Sequence, residues 1–178
     1  MSFYENLWYF FIYAVLGWAL EVSFSAFCGR GFVNRGFFYG PMCCIYGYTI
    51  LAMVLLMTNY KSNPLILYLG CTLIASFSEL FVGWFSHTIL GTYLWNYSDR
   101  PFNLGGHICL SFCLIWGVLG SLVVLYIHPL LQRLVSAIPK TAGSIALTVI
   151  LSVFLLDVMF TCLKYIGGES TISVHTSQ

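Results

Sequence analysis

The stretch Pro64–Leu90, PLILYLGCTLIASFSELFVGWFSHTIL, carries a single charged side chain, Glu79, in an otherwise apolar run. At 1.5 Å rise per residue a helix of that length reaches about 40 Å, enough to cross a hydrocarbon core of ~30 Å with room to tilt. Residues 3–27, 42–60, 106–131 and 142–166 are long and apolar in the same way. Each meets the requirement of roughly 20 mostly apolar residues for a membrane-spanning helix. The reading is an all-α polytopic integral membrane bundle of about five helices.

The composition agrees, since 60% of the 178 residues are hydrophobic and 7% are charged. Residues 1–166 are expected to form a single transmembrane domain, and the polar tail 167–178, which has no apolar run, is expected to be disordered. The first stretch carries Glu21 and lacks a basic leader and a small-residue cleavage site, so it reads as a retained helix. A net charge of +1 removes any case for nucleic-acid binding. The chain has no phosphate-binding loop and no cofactor motif, so ATP energy would have to come from a separate subunit. Of the seven cysteines, Cys109 and Cys113 follow His107 with a spacing compatible with a soft metal. Small-hydrophobe packing is the favoured reading for all seven, and no metal site is assigned.

Three acids sit where acids are expensive. Glu21, Glu79 and Asp157 lie in the second halves of the first, third and fifth stretches, so in an alternating topology all three approach the same membrane face. A carboxylate at the centre of a spanning helix costs about 2.5–3.5 kcal/mol on insertion scales, and such groups usually face a bundle interior, pair with a cation or line a pathway. With a cytoplasmic N-terminus the inner loops hold Lys61, Arg133 and Lys140 against Arg30, Arg35, Arg100 and Lys164 outside. Treating Arg35 and Arg100 as buried partners of the acids tips the balance toward that orientation.

The polar loops carry the other candidates. Residues 28–41, CGRGFVNRGFFYGP, and 94–107, LWNYSDRPFNLGGH, mix Gly and aromatics with Arg and Asn beside the acids. An aromatic belt at headgroup level accounts for Tyr39, Trp95 and Tyr97 but not for the recurring Arg and Asn. A helix bearing Glu, a polar loop with Asn, then Cys and an aromatic–Gly pair occurs twice: Glu21, Asn34, Cys44 and Tyr46-Gly47, then Glu79, Asn103, Cys113 and Trp116-Gly117. This traces a faint parallel two-helix repeat with the fifth helix left over. His128, before Pro129, reads as interfacial.

The run of Gly17-Trp18 and Glu21, then Phe32-Val33-Asn34-Arg35-Gly36-Phe37, Gly40-Pro41 and Ile45-Tyr46-Gly47, then Glu79, Trp95-Asn96-Tyr97-Ser98, Pro101-Phe102-Asn103-Leu104 and Trp116-Gly117 resembles the putative ABC-transporter type IV family, which includes the transmembrane protein 229 group. The likeness covers roughly residues 4–135 and implies a small multi-helix membrane protein. Where the family pattern has Pro, Asp and Arg, this chain has Cys44, Asn96 and His107. The last change replaces a fixed cation by a group able to move protons.

Three classes of function follow. A transporter, or the membrane subunit of one, would use carboxylates within the membrane to bind a cation or proton. An intramembrane enzyme on a lipid head group would use Glu21 or Glu79 as base and Arg35 or Arg100 for phosphate. A scaffold or accessory subunit would use the charges only to hold its fold. The transporter reading leads, with a substrate or ion site at Glu21, Asn34, Arg35, Glu79, Arg100, Asn103 and His107 in a multi-pass plasma-membrane protein. Its partners would be the lipid bilayer, a second copy in a homo-oligomer, since five short helices enclose little volume, or a separate ATPase or transport subunit.

Overall fold

The computed structural model describes residues 1–29, 31, 34 and 36–166. Arg35 and the polar tail 167–178 therefore lie outside the described residues, as does Arg30.

Helix α1 runs Phe3–Phe27 and starts on a capping box in which Glu5 N donates to Ser2 Oγ at 3.3 Å and Ser2 N donates to Glu5 Oε2 at 2.7 Å. Helix α2, Cys44–Met57, continues into a tighter 3₁₀ turn, Thr58–Tyr60. Helix α3, Pro64–Leu90, has Asn63 capping Ile66 N at 3.2 Å, proline in its first turn, and Gly91 in the left-handed conformation that closes it. A two-residue hairpin, β1 Asn103–Leu104 with β2 Ile108–Cys109, precedes α4, Leu110–Leu122. The span continues through α5, His128–Ser136, and α6 runs Lys140–Ile166. Among the described residues four helical spans are long and apolar enough to cross a membrane, and α2 is a shorter apolar helix. The chain is a multi-pass helical membrane protein.

Two details depart from the sequence reading. The fourth span begins at Leu110 because residues 103–109 form the hairpin instead of a first helical turn. A π turn, Val123–Ile127, separates α4 from α5. Pro129 has no N–H to give the helix ladder, and His128 N reaches back to Val123 O across the widened turn. His128, on this turn, is 1% exposed.

The described chain forms two compact units. The first comprises α1, the beginning of α2 and the chain from Leu131, chiefly α6. Its core gathers Phe11, Ala14, Met42 and Leu147, and Phe154 of α6 meets Phe11 and Phe38 edge-on at 5.8 and 5.5 Å. The second holds the rest of α2, α3, the hairpin and α4. Here α3 is sorted for a bilayer: Leu69, Leu73, Phe77, Phe81 and Phe85 recur every fourth residue and are exposed, while Cys71, Ala75, Glu79 and Gly83 form a buried stripe. Small and polar groups pack against protein and large apolar ones face lipid. Gly117 of α4 lies against Thr72 and Tyr68 of α3, where no side chain would fit without displacement.

Candidate functional site

Each unit carries a carboxylate held by a phenol. In the first, the Tyr46 hydroxyl donates to Glu21 Oε1 at 2.5 Å, and the same tyrosine ring fills the notch over Gly17, one turn before Glu21 on α1. Gly17 is thus what lets α2 approach closely enough for its phenol to reach the acid. Trp18 Nε1 donates to Asn34 Oδ1 at 2.8 Å, which also accepts Gly36 N at 3.0 Å. Asn34 Nδ2 donates to the carbonyls of Phe38 and Tyr39 at 3.3 and 3.2 Å. Asn34 is therefore the knot of its loop, its amide serving as donor and acceptor at once.

Asp157 of α6 fastens the other end of that loop. Tyr39 N donates to Asp157 Oδ1 at 3.0 Å and Gly40 N to Oδ2 at 2.8 Å, so both carboxylate oxygens accept backbone amides. Lys164, two turns further along α6, lies over the Tyr39 ring at 5.5 Å. An open cleft of about 920 Å³ runs beside them, lined in part by Gly40, Asp157, Phe160 and Lys164.

In the second unit Tyr97 Oη donates to Glu79 Oε1 at 3.0 Å, with the Tyr97 ring stacked on Phe112 at 4.9 Å. Asn103 knots this loop much as Asn34 knots the first: its Nδ2 donates to the Ser98 and Arg100 carbonyls at 3.3 and 2.7 Å, and its Oδ1 accepts Gly106 N at 3.2 Å. Gly106 has positive φ, and an added Cβ would meet Asn96 Oδ1 and Ser98 Oγ at 2.7 and 2.6 Å. Trp95 Nε1 donates to the His107 carbonyl at 2.8 Å. The His107 ring lies against Gly83, 9% exposed, beside Tyr93 and His87 at ring distances of 5.7 and 5.6 Å.

Of the residues singled out in the sequence, the structure joins Asn34 to the Glu21 face through Trp18, and places Glu79, Asn103 and His107 around one loop. Arg100 is exposed and takes part in that loop through its main chain, with its N donating to the Tyr97 carbonyl at 2.9 Å. The buried partnership drawn for it with an acid is not its position here. Asn96 caps Ser98 N at 3.0 Å, whereas His107 packs on α3. The sequence reading missed Tyr46 and Tyr97 as partners of the acids. Their signal was present, a phenol inside each polar motif, but belt aromatics look the same in a sequence. The roles recur in both units in a different chain order, with Tyr after Asn in the first and before it in the second.

His107 precedes the fourth span, and burial, followed by the neighbouring His87, holds its imidazole below the usual histidine range. The fold thus favours neutral His107, and the unfolded chain takes up the proton first as pH falls. The contribution to stability is complete above about pH 6.5 and declines below it. The melting temperature of the detergent-purified protein is expected to fall between pH 7 and pH 5, and His107→Asn to flatten part of that slope.

Carboxylates on long apolar helices, Glu79 buried and Glu21 half-buried, each engaged by a phenol and with asparagine-knotted loops beside them, define a polytopic helical membrane protein. The chain belongs to the putative ABC-transporter type IV family, whose family model matches residues 8–162. The match extends into α6 and takes in Asp157. No curated protein and no solved structure matches the chain.

Proposed function

We propose that this protein is a transporter-like component of the plasma membrane, or the membrane subunit of a transporter, and that Glu21 and Glu79, each with the loop of its own unit, are its candidate substrate- or ion-binding groups. The observation that carries the reading is the placement of Glu79, 7% exposed on a helix whose other face is apolar, against a phenol that can keep or release it. A group that costly within a spanning segment is a functional candidate by default. Asp157 differs, because both its oxygens serve backbone amides, and its role is to hold the loop.

The test is thermal stability in detergent against ions, nucleosides, vitamins and lipid head groups, for wild type, Glu21→Gln and Glu79→Gln. Glutamine still accepts the tyrosine hydrogen bond, so each variant is expected to stay within about 1 kcal/mol of wild type. A ligand that raises the wild-type midpoint should raise neither variant's. A ligand that stabilises all three equally, or none that stabilises wild type, counts against the reading.

A further inference from the structure

The second unit contains a line of titratable groups that runs outward from its carboxylate–phenol pair. Glu79, Gly83 and His87 follow one another at four-residue intervals on α3, so they occupy successive turns of one face, each about 6 Å from the next. Gly83 leaves a gap between the two functional side chains, and the His107 ring fills it: a Cβ built at Gly83 would lie 3.1 Å from His107 Cβ and 3.3 Å from Nδ1. His107 Nδ1 is buried and has no hydrogen-bond partner among the described residues. At the outer end His87 is exposed, with its ring centroid 5.6 Å from that of His107 and both rings beside Tyr93. At the inner end Glu79 is buried and accepts the Tyr97 hydroxyl.

We propose that His87, His107 and Glu79 form a proton relay, in which His87 takes a proton from the aqueous side, His107 carries it across Gly83, and the Glu79 carboxylate receives it. One proton enters and one negative charge within the bilayer is neutralised. Each imidazole returns to its neutral form, and no bond other than N–H and O–H is made or broken. Glu79 then binds Tyr97 as a carboxylic acid, a weaker acceptor than the anion, so proton arrival loosens the loop that Tyr97 anchors. The rings beside His107 are His87 of α3 and Tyr93 of the loop, and Glu79 stands one turn of α3 before the Gly83 that His107 covers; Cys109 on β2 has its sulfur on Ser111 Oγ at 3.3 Å, and Asp99 and Arg100 are exposed. Burial keeps His107 neutral at rest, the state a carrier needs in order to accept a proton.

The relay deepens the functional reading above and rests on its assignment of Glu79, but its test requires no substrate. After a pH drop, infrared spectroscopy of the reconstituted protein in lipid vesicles should show the carbonyl stretch of a protonated carboxyl group, assigned to Glu79 by its loss in Glu79→Gln. In His107→Phe the band should appear roughly a hundredfold more slowly, the scale of a positioned proton donor, and free imidazole in the buffer should restore the rate. His87→Gln, altered at an exposed position that does not threaten folding, should slow it as well. An absent wild-type band, unchanged rates in both variants, or a slowing that imidazole does not relieve would overturn the relay. Those results leave the ligand panel to decide the transport reading separately, and a blank panel leaves the infrared result intact.

Discussion

Asp157→Ala is expected to lower the unfolding free energy by about 2–3 kcal/mol, because it removes the acceptor of two backbone amides in one step. The larger share belongs to Gly40 N, whose 2.8 Å bond is partly buried, whereas the Tyr39 bond is exposed and partly replaceable by water. Gly40 itself cannot compensate, since a Cβ there would lie 2.9 Å from Asp157 Oδ2. Asp157→Asn retains one acceptor oxygen and should cost less than half as much. Thermal melts in detergent for the three proteins give the comparison. Equal melting temperatures for wild type and the alanine variant would mean that Asp157 does not hold the loop.

The second large effect lies in the other unit. Gly117→Val should destabilise by about 2–3 kcal/mol, the scale of overpacking in a close seam. An added Cβ at 117 would collide with Thr72 Oγ1 and sit 3.0 Å from Tyr68 Cε2. Thr72 cannot swing aside cheaply, because its hydroxyl donates to the Tyr68 carbonyl at 2.8 Å. Gly91→Ala is the control: its φ of +64° is strained for alanine but no atom lies within 4 Å, so the cost should be about 1 kcal/mol. Pairing Gly117→Ala with Thr72→Ala should recover part of the loss, since the two changes share one contact. Were Gly91→Ala the more damaging, the α3–α4 seam would not be the close contact described.

The spans were legible because hydropathy over roughly 20 residues is a local property, and the five segments read from composition correspond to the helices within a few residues. The π turn was less visible: Pro129 signals a missing hydrogen bond, but not whether the helix breaks, kinks or widens. The candidate site was half legible. An acid in an apolar run stands out without coordinates, which is why Glu21, Glu79 and Asp157 were found. Their partners were not found, because a phenol, a backbone amide and a guanidinium are equally good donors to a carboxylate on paper, and the choice is made by distance. Charge logic pointed to arginine; among the described residues Arg100 is exposed, and geometry supplied Tyr46, Tyr97 and the amides of Tyr39 and Gly40, while Arg35 lies outside them.

The sequence by itself determined the solvent of each segment, the five apolar helical segments and the presence of costly carboxylates within them, since transfer free energies depend on composition and length alone. Only the tertiary structure decided that Asn34 and Asn103 tie loops, that His107 lies over Gly83 between Glu79 and His87, and that Asp157 is spent on main-chain amides. Hydrogen bonds and close packing act over about 3 Å, a range that sequence spacing cannot resolve once the partners come from different helices.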